Sequence, residues 1–259
     1  MLQRIRFMGS ITTLLQQAGA FWVDFKHSIE DVVYDTDGNL DQIEKERSIR
    51  FYDSSDQRLR NNNYVFRERV NLRTREREVT LKYRHPDRYI SQDRDMSAAK
   101  RKKGKTKFEE DIKLPFLKLY SFSTKQPISE RKKLNTLADP GKLYPDLSTR
   151  LPGYQADEPL QIVNNFTARE LVITGAMLKI GKRPKVRASC ALVVWYDAAD
   201  SAEAPIVVEF SFKYENEQED YAGAVAQRAY EVLRRLGDAL PDWVDTAGPT
   251  KTAYVYTKA

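Results

Sequence analysis

The residues of this chain that could do chemistry are charged ones set two apart. Arg67 and Arg69 are separated by Glu68, so on an extended strand both project to one side. A guanidinium presents a planar fork of donors that fits phosphate oxygens, which makes this pair the first choice for anion contacts. Lys82 has Thr80 and Arg84 on its own side, and as a compact point charge it suits the charge that gathers on a departing phosphate. Glu109 and Asp111, preceded by Lys107, form a carboxylate pair with the same spacing. Carboxylate oxygens suit a hard divalent cation such as Mg2+ or Mn2+. Asp24 and Lys26 repeat the spacing, with Trp22 in line. Each set also has a plainer reading. Lys82 could be an exposed lysine, Asp24 with Lys26 a surface pair worth at most ~1 kcal/mol, and Glu109 with Asp111 the wet side of an edge strand.

Such pairs need strands to hold them. Stretches rich in β-branched and aromatic residues run over Phe21 to Lys26, Glu30 to Tyr34, Ser48 to Asp53, Tyr64 to Leu72 and Glu78 to Arg84. Others follow at Lys107 to Ile112, Ala168 to Thr174, Val186 to Tyr196, Ile206 to Tyr214 and Thr252 to Tyr256. From Gln218 to Leu236 the apolar positions Tyr221, Val225, Val232, Leu233 and Leu236 fall near helical spacing, and Gly237 and Pro241 stop the pattern. Prolines at 115, 127, 140, 145 and 152 break up the stretch around 114–160, which reads as a helical insertion with its main helix at Ser129 to Leu137. No repeat and no Gly/Ser-rich linker marks a boundary, so the chain reads as one domain over 1–259 with an N-terminal extension at 1–19.

At 259 residues and 30.0 kDa the chain is long enough for one large core. Its net charge of +6 and pI near 9.2 favour anionic partners. The densest basic run, Lys100 to Lys107, could meet the phosphates of a nucleic acid, or it is a solvated loop between strands. Cys190 is the one cysteine, so no internal disulfide forms and a reducing, cytoplasmic setting is expected. Its apolar surroundings, Ala188 to Val194, and the absence of a well-spaced histidine partner point to a buried thiol rather than a nucleophile. Arg4 and Arg6 followed by Phe7 to Leu15 and Ala18-Gly19-Ala20 look weakly like a secretion signal, but Gly9, Ser10, Thr12 and Thr13 interrupt the apolar stretch. No apolar run approaches the ~20 residues of a membrane-spanning helix. The sequence contains no Walker-type phosphate loop, no Cys/His zinc spacing and no Gly-x-Ser-x-Gly elbow.

The segment Ser48-Ile-Arg-Phe-Tyr-Asp-Ser-Ser-Asp-Gln-Arg-Leu-Arg, then Asn61-Asn-Asn-Tyr-Val-Phe-Arg-Glu-Arg-Val, then Glu78-Val-Thr-Leu-Lys82, resembles the CYTH superfamily of triphosphate tunnel enzymes. In that family an aromatic-Asp strand leads through a Leu-containing turn to an Arg-x-Arg strand and a Thr-Leu-Lys strand. The likeness is clear over residues 48 to 84, weaker over 20 to 27 and 105 to 112, and weaker again from 168 onward. It implies a mainly β, α+β fold: a closed antiparallel tunnel barrel with peripheral helices, whose inward charges need a charged ligand to offset their desolvation. It further implies catalytic roles for Lys82 and Lys26, substrate contacts from Arg67, Arg69, Arg187 and Lys251, and metal ligands in Asp24, Glu109, Asp111 and Glu209. The implied reaction is hydrolysis of a terminal phosphoanhydride with Mg2+ or Mn2+, on tripolyphosphate, a nucleoside triphosphate or thiamine triphosphate; cyclisation of ATP also occurs in the family.

The chain departs from the family at two points. Trp22 stands where the family has a carboxylate, and Ser211 replaces the second acid after Glu209. Two rival accounts therefore stay open: a protein that binds polyphosphate or nucleotide without turnover, and a nucleic-acid or interaction module working from the basic loop 100–107.

Overall fold

In the computed structural model the described residues are 2–7, 11–100, 103–114, 116–199, 204–215 and 221–257. Their strands are β1 (Leu2–Ile5), β2 (Asp35–Asp37), β3 (Gln42–Asp53), β4 (Tyr64–Asn71), β5 (Arg77–His85), β6 (Lys105–Lys113), β7 (Leu117–Ile128), β8 (Gln161–Thr174), β9 (Met177–Lys182), β10 (Lys185–Asp197), β11 (Val207–Lys213) and β12 (Val244–Asp245). The helices are α1 (Leu14–Ser28), α2 (Arg58–Asn61), α3 (Arg88–Gln92), α4 (Ala138–Leu143), α5 (Pro145–Arg150), α6 (Gly223–Asp238) and α7 (Lys251–Thr257). The chain divides into two compact units. Unit 1 comprises 1–46, 112–117 and 170–251; unit 2 comprises 47–111, 118–169 and 252–259.

Unit 1 is a sheet backed by two helices that bury the same pattern. In α1 the buried residues are Leu14, Ala18, Phe21, Trp22 and Phe25; in α6 they are Val225, Ala229, Val232, Leu233 and Leu236. Both sets follow offsets of four, seven, eight and eleven, one stripe of a 3.6-residue period. They pack with Leu192, Val194, Val208, Phe210 and Phe212 from β10 and β11. Phe210 meets Phe21 and Phe25 nearly edge-on, with ring centroids 5.1 and 5.0 Å apart. Within this unit the strand order is β1-β11-β10-β9-β2, with β12 attached to β1 and the last residue of β6, Lys113, paired with Leu2.

Unit 2 carries β5 and β4 whole and most of β6, β7, β3 and β8, in the order β6-β7-β5-β4-β3-β8. Its core joins Phe66, Val79, Leu81 and Tyr83 from the sheet to Leu137, Tyr144, Leu147 and Leu151. The Tyr144 hydroxyl donates toward Val79 O at 3.1 Å and Thr124 O at 3.0 Å, tying the α4–α5 junction to two strands.

Several expectations are corrected. The strands do not form the expected closed, all-antiparallel barrel: the order β11-β1-β6-β7-β5-β4-β3-β8-β10-β9-β2 ends on β2, β12 lies off that path, and β1 runs parallel to β6. Alternation along a strand reveals its two faces, but not how the ends of a sheet are arranged. Phe21 to Lys26 is helical, because its apolar residues belong to the longer stripe that begins at Leu14. Glu30 to Tyr34 forms turns. Thr252 to Tyr256 is helical within α7, where Val255 and Tyr256, adjacent in sequence, are both buried. The insertion around 114–160 holds the twelve-residue strand β7, and its helices lie at α4 and α5 rather than at Ser129 to Leu137. The stretch 1–19 is not a separate extension, since β1 pairs with β11 and α1 starts at Leu14. The helix expected from Gln218 begins at Gly223; residues 218–220 lie outside the described residues. No helix among the described residues is long and apolar enough to cross a membrane.

Candidate functional site

Strand register in unit 2 brings the charged pairs together. Arg67 lies opposite Thr80 and Arg69 opposite Glu78 across β4 and β5. On the other side of β5, Thr80 faces Lys125, Lys82 faces Ser123 and Arg84 faces Ser121 of β7. Cross-strand partners share a face. Arg67, Arg69, Glu78, Thr80, Lys82, Arg84, Ser121, Ser123 and Lys125 therefore line one side of the sheet, while Phe66, Val79, Leu81 and Tyr83 line the core side.

The carboxylates of β6 join the same face. Lys82 Nζ lies 3.8 Å from Glu109 Oε2 and 3.9 Å from Asp111 Oδ2. Arg84 reaches Asp111 at 3.3 Å, and Ser121 donates to the same carboxylate at 2.7 Å. Burial alone would raise the Asp111 pKa, but Lys82, Arg84 and the Ser121 hydrogen bond outweigh it and hold the carboxyl below its usual range. For Lys82, whose side chain is 18% exposed, burial comes first and Arg84 second, and together they pull the ammonium down to about 8 against the opposing pull of Asp111 and Glu109. Glu78 is shared between Arg69 at 3.5 Å and Lys125 at 3.9 Å. Five cationic side chains thus face three carboxylates, which leaves the face positive and suited to an anion. Thr80 Oγ1 is buried and has no hydrogen-bond partner among the described residues, a donor ready for a ligand oxygen.

Of the residues singled out in the sequence, Arg67, Arg69, Lys82, Glu109 and Asp111 meet in unit 2. The others belong to unit 1. Asp24 lies on α1 and accepts a hydrogen bond from Trp243 Nε1 at 2.8 Å, while Lys26 Nζ sits 6.0 Å from the Trp22 ring centroid. Trp22 is fully buried and donates to Gly38 O at 3.0 Å, so the departure from the family's carboxylate marks a core position on a helix. Arg187 is 3.9 Å from Asp37. Glu209 and Lys251 form a close pair at 2.6 Å, with Lys251 over the Trp195 ring and Trp195 Nε1 donating to buried Glu170 at 2.8 Å. Among the described residues no three His, Cys, Asp or Glu side chains converge as a metal set. The basic loop is only partly described: Lys105 and Lys107 lie on β6, and residues 101–102 fall outside the described residues.

The conspicuous Tyr52-Asp53 and Leu59 of the sequence motif are structural. Buried Asp53 accepts hydrogen bonds from Ser54 N at 2.9 Å, Leu59 N at 2.8 Å, Arg60 N at 3.0 Å and the Tyr256 hydroxyl at 2.9 Å. Arg60 stacks on the Tyr256 ring at 4.5 Å. Lys125, Ser121 and Ser123 are site residues that the sequence reading missed, because β7 lay inside a stretch read as helical. Period-two spacing around Phe122 is the signal that could have found them.

No family model and no curated protein matches the chain. Among solved structures it is similar to a candidate adenylyl cyclase from Hippeastrum with a dominant triphosphatase activity, at 9% identity and a TM-score of 0.47, over 98% of this chain and 93% of that one. It is also similar to a candidate adenylate cyclase from Bacillus halodurans, at 12% identity and a TM-score of 0.37, over 91% and 92% of the two chains.

Proposed function

We propose that the chain binds a triphosphate-bearing anion on the charged face of unit 2 and hydrolyses its terminal phosphoanhydride. The observation that carries this reading is the meeting of Arg67, Arg69, Lys82, Arg84 and Lys125, from three strands, on one face beside Glu109 and Asp111. The CYTH resemblance over residues 48 to 84 points the same way. The guanidinium groups of Arg67, Arg69 and Arg84 would hold phosphate oxygens, and the Thr80 hydroxyl would donate to one of them. Lys82 is already partly withdrawn from water, so its charge acts with little screening on negative charge that builds on the leaving phosphate.

Glu109, 39% exposed, together with Asp111 fits Mg2+ or Mn2+ arriving with the substrate. Mg2+ commonly takes one or two protein carboxylates and fills its remaining positions with phosphate oxygens and water. Such an ion would polarise the phosphoryl oxygens. A second reading, binding without turnover, is favoured by the ion pairs that both carboxylates already make with Lys82 and Arg84.

The test is phosphate release from tripolyphosphate, ATP and thiamine triphosphate in Mg2+ or Mn2+. Lys82→Ala is expected to lower the rate by about 10²-fold or more, and Glu109→Ala to weaken the response to added metal. Equal rates in parent and Lys82→Ala would remove the hydrolase assignment. Tight binding of tripolyphosphate with negligible release in the parent would select the second reading.

A further inference from the structure

Among the ion pairs of the charged face, that of Lys82 is loose. Its Nζ is nearly equidistant from two acceptors, 3.8 Å from Glu109 Oε2 and 3.9 Å from Asp111 Oδ2. A charge-assisted hydrogen bond is shorter, about 2.7–2.9 Å, and the contact of Lys251 with Glu209 at 2.6 Å shows how closely a lysine of this chain can approach a carboxylate. The Lys82 ammonium is therefore lodged between two carboxylates by charge and is tied to neither. Asp111 is fixed by other means: Ser121 donates to it at 2.7 Å and Arg84 reaches it at 3.3 Å, so its carboxylate stays in place if Lys82 moves away. Glu109, 39% exposed, is open to an incoming ion. Lys82 and Arg84 set two positive charges against the two negative ones, which neutralises the pair before any divalent cation arrives. An ion pair that served stability alone would gain most from one short contact with one acceptor.

From this arrangement we infer that Lys82 is the built-in counter-ion of the Glu109–Asp111 pair and competes with a divalent cation for the same place. The inference rests on the proposed reading of this face and adds a rule of assembly to it: the pair takes up Mg2+ or Mn2+ well only when an anion held by the neighbouring cations draws the ammonium off. The experiment is titration of the full chain with Mn2+ in a chloride buffer, with the free ion followed by electron paramagnetic resonance. Binding is expected to be weak in the parent and in Lys82→Arg, which keeps the charge, and roughly tenfold tighter in Lys82→Met and Lys82→Gln. Adding Glu109→Gln to Lys82→Met should return it to the parent's level. Equal Mn2+ affinity in the parent and in whichever of Lys82→Met and Lys82→Gln retains the parent's circular dichroism would overturn the inference, as would a gain that survives Glu109→Gln. Replacing chloride by sulfate at matched ionic strength should tighten Mn2+ binding in the parent and leave Lys82→Met unchanged. Tight binding in Lys82→Met with no response of the parent to sulfate would uphold the competition and count against the phosphate reading of the face instead.

Discussion

Lys82 shows how much a single side chain reveals about its surroundings. Its pKa is pulled to about 8, so between about 8 and its ordinary 10.5 the folded chain gives up this proton before the unfolded chain does. Below about 8 both states hold the proton and the burial cost is complete; as pH rises through the window that cost is relieved. Relative to Lys82→Met, the parent should therefore gain stability from roughly pH 7 to roughly pH 10 in urea unfolding. A difference that stays flat would mean the ammonium is not strained. In unit 1 the close pair of Glu209 and Lys251, with side chains 10% and 19% exposed, leads to a different expectation. Lys251→Met should cost about 2–3 kcal/mol, and adding Glu209→Gln should recover part of it, since the carboxylate then no longer needs its ammonium. At this scale Arg67, Arg69, Lys82, Glu109 and Asp111 were legible because residues two apart on one strand must share a face. Ser121 and Lys125 were not, because only the register of β5 with β7 brings them to Lys82 and Thr80.

The turn after β3 is held by one carboxylate. Asp53 receives three backbone N–H groups and the Tyr256 hydroxyl, so it ties α2 and α7 to the end of a strand. Asp53→Ala should destabilise the protein by about 3 kcal/mol or more, since several buried donors lose their acceptor together, whereas Tyr256→Phe removes one bond and should cost about 1 kcal/mol. Denaturant midpoints of the two single variants and the double variant test this; additive losses would show that the two side chains do not act as a unit. The same contacts explain why α7 misleads a sequence reader. Thr252 to Tyr256 has strand-like composition, yet Asn164 donates to Val255 O at 2.9 Å and Tyr256 reaches Asp53, so packing in unit 2 overrides local preference. For Phe21 to Lys26 the error was one of window length. Six residues show alternation, while the fifteen of α1 show the helical stripe. Strands β4, β5, β10 and β11 were legible because each has one apolar and one polar face over most of its length.

At the scale of the molecule, the chain passes repeatedly between its two units, so no contiguous stretch contains either one whole. A fragment of residues 47–169 keeps β4, β5, β7 and α2 to α5 but lacks Tyr256 and the rest of α7. It is expected to unfold at a lower urea concentration than the parent, with its circular dichroism reporting the loss; an unchanged midpoint would show that α7 adds nothing to unit 2. Composition foretold a basic, strand-rich chain, but the ordering of the strands depends on long-range pairing that no local pattern encodes. Cys190, 2% exposed and with its thiol pushed far up by burial, sits inside the first core. A cysteine introduced at Tyr89 or any other open position would thus be the sole sulfhydryl within reach of a maleimide, and a dye, spin label or surface tether could be fixed at one chosen point with the native thiol left in place.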